Sequence, residues 1–158
     1  MLDRILARLG AVRPDPVRTL QEAEAAYERG ELEASRRLCE AALARLPSAR
    51  AQCLMAAIAA DAGRTEEGLE WTQRAQALDP SAAGPHYVAG RLWQVAGRFA
   101  EAEASYRRAI ALQPGHARAY NNLGGVLHMQ GNLDAALAAY RKALDLEPGL
   151  AQANQNYA

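Results

Sequence analysis

The side chains able to do chemistry are few, and their spacing suits no known site. The chain carries three histidines, His86, His116 and His128, and two cysteines, Cys39 and Cys53. No two histidines stand at the spacing that puts metal ligands on one helix face, and no HExxH sequence occurs. The cysteines form no CxxC pair and are too few for a disulfide framework. Neither has a histidine near it in sequence that would serve as the base of a nucleophilic pair. The double glycine Gly124–Gly125 in "NLGGVLH" lies inside a helical pattern and not in a phosphate-binding loop. These observations predict no catalytic residue, no metal and no cofactor, hence a protein that is not an enzyme.

Composition narrows the partners. Among 158 residues, 18 basic side chains balance 18 acidic ones, with no block of either sign. A nucleic-acid partner is therefore not expected. Lys142 is the only lysine, and so much Arg and Ala points to a GC-rich bacterial genome. The opening "MLDRILARLG" places Leu2, Ile5, Leu6 and Leu9 on one helical face, but Asp3, Arg4 and Arg8 interrupt any signal-peptide core. No apolar run is long enough to span a membrane. The expectation is a soluble cytoplasmic protein with reduced thiols.

The elements that would position any binding residue are set by an internal period. Gly30, Gly63, Gly97 and Gly131 are spaced 33, 34 and 34 residues apart, and so are Pro47, Pro80, Pro114 and Pro148. Two rulers with one spacing define repeating units. They predict boundaries at 16–48, 49–82, 83–116 and 117–150, with residues 1–15 as a short extra helix and linker. Residues 151–158, "AQANQNYA", align under "ARAYNNLG" of 117–124 and read as the start of a fifth unit.

Each unit reads as a helix hairpin. Tyr120, Leu123, Gly124 and Leu127 make one apolar stripe at helical spacing, and Leu133, Ala136, Leu137, Tyr140, Ala143 and Leu144 make a second. Trp93 falls on the first stripe of its own unit, a core position, and Trp71 falls off the main stripe of its unit. The glycine between the stripes suits a helix C-terminus, and the proline ends the unit. Helices are predicted over 16–29, 32–46, 49–62, 65–78, 83–96, 99–112, 117–130 and 133–146. The fold class is therefore all-α.

The pattern Tyr120–Leu123–Gly124, Ala136, Tyr140, Ala143 and Pro148, with Gly90, Ala102, Tyr106, Ala109 and Pro114 one unit earlier, resembles the tetratricopeptide repeat family. The resemblance covers residues 16–158 and implies a right-handed superhelical solenoid of antiparallel hairpins, with first helices lining a concave groove. The first two units depart from the pattern. Ser35 and Gly68 replace the alanine of Ala102, and Cys39 and Thr72 replace the tyrosine of Tyr106. Gly68 costs about 1 kcal/mol relative to Ala in a helix, which marks the second hairpin as the weakest.

The resemblance also implies where a ligand would lie. Tyr87, Arg91, Gln94, Arg118, Asn121, Asn122, His128 and Asn156 occupy groove positions. Asn122 and Asn156 share one register position, similar to the asparagine ladder in the repeat arms of protein O-glycosyltransferases. An asparagine there offers a donor and an acceptor to a peptide backbone. Three functions follow as expectations: a scaffold binding a protein or extended peptide, a substrate-recruiting arm of a longer transferase with its catalytic domain after residue 158, or a self-assembly module using the last repeat or the N-terminal helix.

Overall fold

The computed structural model describes residues 15–150, so the expected helix 2–9, most of its linker and residues 151–158 lie outside the described residues. Among the described residues eight helices run in order: α1 Pro16–Glu28, α2 Leu32–Leu43, α3 Ala49–Asp61, α4 Thr65–Leu78, α5 Ala83–Val95, α6 Phe99–Leu112, α7 Ala117–Met129 and α8 Leu133–Leu146. No strand occurs among the described residues, and the fold is an all-α helical repeat. No described helix is long and apolar enough to cross a membrane.

The turn glycine explains each hairpin. Gly30, Gly63, Gly97 and Gly131 have φ between +71° and +80°, a region that a side chain disfavours. With that twist the Gly131 N–H reaches the His128 carbonyl and the Asn132 N–H reaches the Leu127 carbonyl, each at 2.9 Å. These two bonds satisfy carbonyls that the helix end leaves open, and the same pair recurs at the other three turns. Starts are fixed as well. Asp15 Oδ1 accepts the Val17 N–H at 3.2 Å ahead of Pro16, and Ser48 Oγ accepts the Ala51 N–H at 3.2 Å.

The chain divides into two compact units after Pro47. In the first, α1 and α2 close over Leu20, Ala23, Ala26, Cys39 and Ala42. Ser35 replaces an alanine here for a reason: its buried hydroxyl donates to the Ala23 carbonyl at 2.8 Å, across the hairpin. Helix α2 ends at Leu43 and not at 46 as its pattern predicts. Arg45 and Leu46 both donate to the Ala42 carbonyl, so the last turn tightens instead of continuing.

In the second unit, α3–α4, α5–α6 and α7–α8 form hairpins, and each second helix packs on the first helix that follows it. A central core gathers Ala102, Tyr106, Leu123, Val126, Leu127, Ala136, Ala139 and Tyr140, with Trp93 and Phe99 half-buried at its edge. The core position expected for Trp93 is thus only partly enclosed, and Arg98 lies over its ring at 4.6 Å. Trp71 is half-buried too, under Arg74 at 4.7 Å.

Size complementarity decides the packing. A Cβ on Gly124 would lie 2.6 Å from the Tyr140 ring, and one on Gly90 would lie 2.6 Å from the Tyr106 ring. Where the second helix carries Cys39 or Thr72 in place of tyrosine, the first carries Ala23 or Ala56 in place of glycine. Gly68 is explained by the same rule one interface later, since its Cβ would lie 2.7 Å from a methyl of buried Leu92. The second hairpin is therefore differently packed, with the glycine making room for a leucine from α5.

Gly124→Ala should cost about 1–3 kcal/mol by overpacking against Tyr140, measured by urea unfolding. In a Tyr140→Ser background the same change should be neutral or stabilising. An equal cost in both backgrounds would refute the steric account.

Candidate functional site

The predicted groove residues come from the first helices α5 and α7, and most of them meet. Tyr87, Arg91, Gln94, Arg118, Asn121 and Asn122, with Val95 and Leu150, line one open groove of about 850 Å³. His128 stands exposed at the end of α7, outside this lining. Asn156 lies outside the described residues. Val95 at the lip is 68% exposed and Met129, one repeat on, 66%. Leu150 escaped sequence reasoning because it follows Pro148 and belongs to no helical stripe.

The floor of the groove is a hydrogen-bonded amide and phenol network. Tyr106 lies in the hollow left by Gly90. Its hydroxyl comes up through the core and donates to Gln94 Oε1 at 2.8 Å. Asn122 Nδ2 donates to the Tyr106 oxygen at 3.4 Å and to the Tyr87 oxygen at 3.3 Å, while Asn121 Nδ2 donates to Asn122 Oδ1 at 3.1 Å. Burial, above all, pushes the Tyr106 phenol well above its ordinary range, so it stays neutral. Tyr106 was read from sequence as a packing residue alone; a long phenol at a core position was the available signal for its second role.

Two groove expectations are altered by these contacts. Asn121 is 4% exposed, a floor residue more than a contact surface. Val88 and Leu54, at the register position of Asn122, are buried, so this position faces the neighbouring helices as much as the groove. Asn122 likewise has its amide engaged by two tyrosines and Asn121.

Charge sits on the rim. Arg91 pairs with Asp61 of α3, so its charge is met within the fold. Arg118 is exposed and forms no ion pair among the described residues. Both thiols are held protonated by burial, Cys39 pushed up to about 12 and Cys53 to about 11, which makes them poor nucleophiles. Among the described residues no cluster of histidine, cysteine and acidic side chains could hold a metal ion.

Comparison with known proteins agrees with the hairpin geometry. The tetratricopeptide repeat profile matches residues 20–83 and 87–151. No curated protein sequence matches the chain significantly. Among solved structures, a thermophilic repeat protein of this kind, TTC0263 of Thermus thermophilus, is similar with a TM-score of 0.81 at 23% identity, over 98% of this chain and 84% of that one. MamA is similar with a TM-score of 0.70 at 25% identity, over 85% and 80%. YrrB, described as a repeat protein with an unusual peptide-binding site, has a TM-score of 0.68 at 21% identity, over 84% and 69%.

His116 lies behind the groove residue Tyr87. It caps α7, with Nδ1 accepting the Ala119 N–H at 3.3 Å, and its ring packs against Tyr87, tilted by 35° with centroids 4.7 Å apart. Burial, and then nearby Arg118, hold its imidazole below the ordinary 6.5. His86, facing Gln76 and Arg108, is lowered for the same kind of reason. A histidine kept neutral in the fold contributes stability that is present above the unfolded value and is lost as pH falls through the folded one. Thermal unfolding should therefore show a falling Tm from about pH 7 downward through the histidine range. His116→Asn keeps a capping acceptor and should flatten part of that fall. An unchanged pH profile in the variant would contradict the assignment.

Proposed function

This chain belongs to the tetratricopeptide repeat family, and we propose on that premise that it is a non-catalytic scaffold whose groove between α5 and α7 binds an extended peptide segment of a partner protein. The observation that carries this reading is the convergence of Tyr87, Arg91, Gln94, Arg118, Asn121 and Asn122 around one open groove. Its floor is rich in side-chain amides and its lip is apolar at Val95. Amides can satisfy a peptide backbone, and an exposed apolar lip can cover a ligand side chain. Arg118 adds a cation with no internal ion-pair partner among the described residues, so the favoured segment carries an acidic residue.

In this reading the four repeats span 16–48, 49–82, 83–116 and 117–150, and His128 and Asn156 extend the binding surface toward the C-terminal end. The protein works in a bacterial cytoplasm, a setting that suits its two free cysteines, and does not bind nucleic acid. Self-association is a second reading, favoured by Leu133 and Leu137 on α8, which remain 56% and 46% exposed. The narrower idea of a transferase arm rests on Asn122 and Asn156 alone. Asn122 supports it less because its amide is already engaged.

Selection from a random peptide library on the purified protein tests the proposal. Enriched peptides should carry an acidic residue and should shift the backbone resonances of α5 and α7. Arg118→Glu should weaken them about 10-fold or more, equivalent to about 1.4 kcal/mol. Peptides that bind with equal affinity to Arg118→Glu and perturb other helices would sink the groove reading.

A further inference from the structure

We infer that the groove reads two ends of its ligand: a side-chain carboxylate at Arg118 and an apolar side chain about five or six residues away at Val95, with uncharged residues between them. This rests on the peptide-binding reading above and deepens it by naming the class of segment.

The charge of the groove is one-sided. Arg91 and Arg118 are the two cations in its lining. Arg91 is paired with Asp61 of α3, whereas Arg118 is exposed and forms no ion pair among the described residues. The rest of the polar lining, Tyr87, Gln94, Asn121 and Asn122, is phenol and amide. A ligand carboxylate therefore finds an unmatched cation at one place only.

The helix ends point the same way. Helix α6 turns back on α5, and α7 turns back on α6 and packs against it, so α5 and α7 run in one direction. Arg118 is the second residue of α7, and Val95 is the last of α5. The partial positive charge of the α7 N-terminus adds to Arg118, and the partial negative charge of the α5 C-terminus lies at Val95. A carboxylate is favoured at the first end and disfavoured at the second.

The second end offers apolar surface instead. Val95 is 68% exposed, and Met129, at the same register position on α7, is 66% exposed. That position does not require an apolar residue for packing, since the first two repeats place Glu28 and Asp61 there. Val95 lines the groove, so an apolar side chain of the ligand can cover it and remove both surfaces from water.

The separation of the ends sets the spacing. Arg118 and Val95 stand at the second and last positions of equivalent 13-residue helices, about 16 Å apart along the helix direction. A sidestep of about 8–10 Å between helix axes makes the span about 18–19 Å. An extended chain covers that in about five or six residues.

The probes are heptapeptides with glutamate at one end, leucine at the other, and alanine and glutamine between. They are acetylated and amidated, so that no terminal carboxylate competes. Both orders, glutamate first and leucine first, are titrated to about 10 mM against the full chain and followed by amide resonances, which suits weak binding. The groove ends fix the place of the charge and not the chain direction. The better order should shift resonances around Arg118 and Val95 together. An isomer with the glutamate at the centre should bind about 2- to 5-fold more weakly. In Arg118→Glu, a peptide with lysine in place of glutamate should bind better than the parent peptide. Val95→Ser alters an exposed site and should keep the thermal midpoint. It should weaken the leucine peptide about 2- to 5-fold and leave the analogue with alanine in place of leucine unchanged, a coupling that only a direct contact produces. If the centred isomer binds as well as the parent peptide, or Val95→Ser does not separate leucine from alanine, the two-ended pattern is overturned, and shifts confined to α5 and α7 keep the groove reading. If no heptapeptide shifts a groove residue but peptides from the library selection do, the pattern alone fails. If neither does, the groove reading fails with it.

Discussion

The structure depends on one steric exchange: a first helix gives up a side chain so that the second can bring up a ring. Gly90 receives Tyr106 and Gly124 receives Tyr140, each within a distance that a Cβ would forbid. Helix axes can then approach closely, and close approach sets the angle at which one helix packs on the next. Where the ring is absent, at Cys39 and Thr72, the glycine is absent too. The repeats thus keep volume at the contact and not residue identity, which is how interiors at crystal-like density tolerate change.

That exchange also builds the groove. A phenol long enough to fill the hollow brings its hydroxyl to Gln94 and Asn122, beneath the side chains that line the groove. Tyr106 orients Gln94 and anchors Asn122. The polar floor is held by the hydrophobic core below it, and its geometry is fixed before any ligand arrives. Preorganisation of this kind lowers the ordering cost of binding.

Much of this was legible in the sequence because the period is strict. The turn glycines need a positive φ that side chains disfavour, and the prolines cannot continue a helix, so both mark boundaries directly. Helix limits followed to within a residue except at Leu43, where a missing residue in the repeat is absorbed by a tighter turn. The groove was legible as a face and not as a depth. Register positions say which side of a helix a residue occupies, but Asn121 and Val88 proved buried because the adjoining helices cover that side. Gly68 looked like a defect from within its own hairpin. Its reason, Leu92, lies in the next one, and a contact between repeats leaves no periodic trace.

A groove with a neutral floor and a charged rim would divide recognition of a peptide into two parts. In the peptide-binding reading, main-chain groups of any peptide would meet the same side-chain amides of Gln94 and Asn122, so the lining would add affinity with little regard to sequence. In the same reading Arg118 on the rim would read side-chain charge, while Arg91 is paired with Asp61. Exposed charge pairs are modest in strength and are screened by salt, so selectivity from the rim is shallow. In that reading the groove suits segments that share an extended shape and an acidic residue more than one exact sequence, and a solenoid would reach higher selectivity by repeating such contacts along its length.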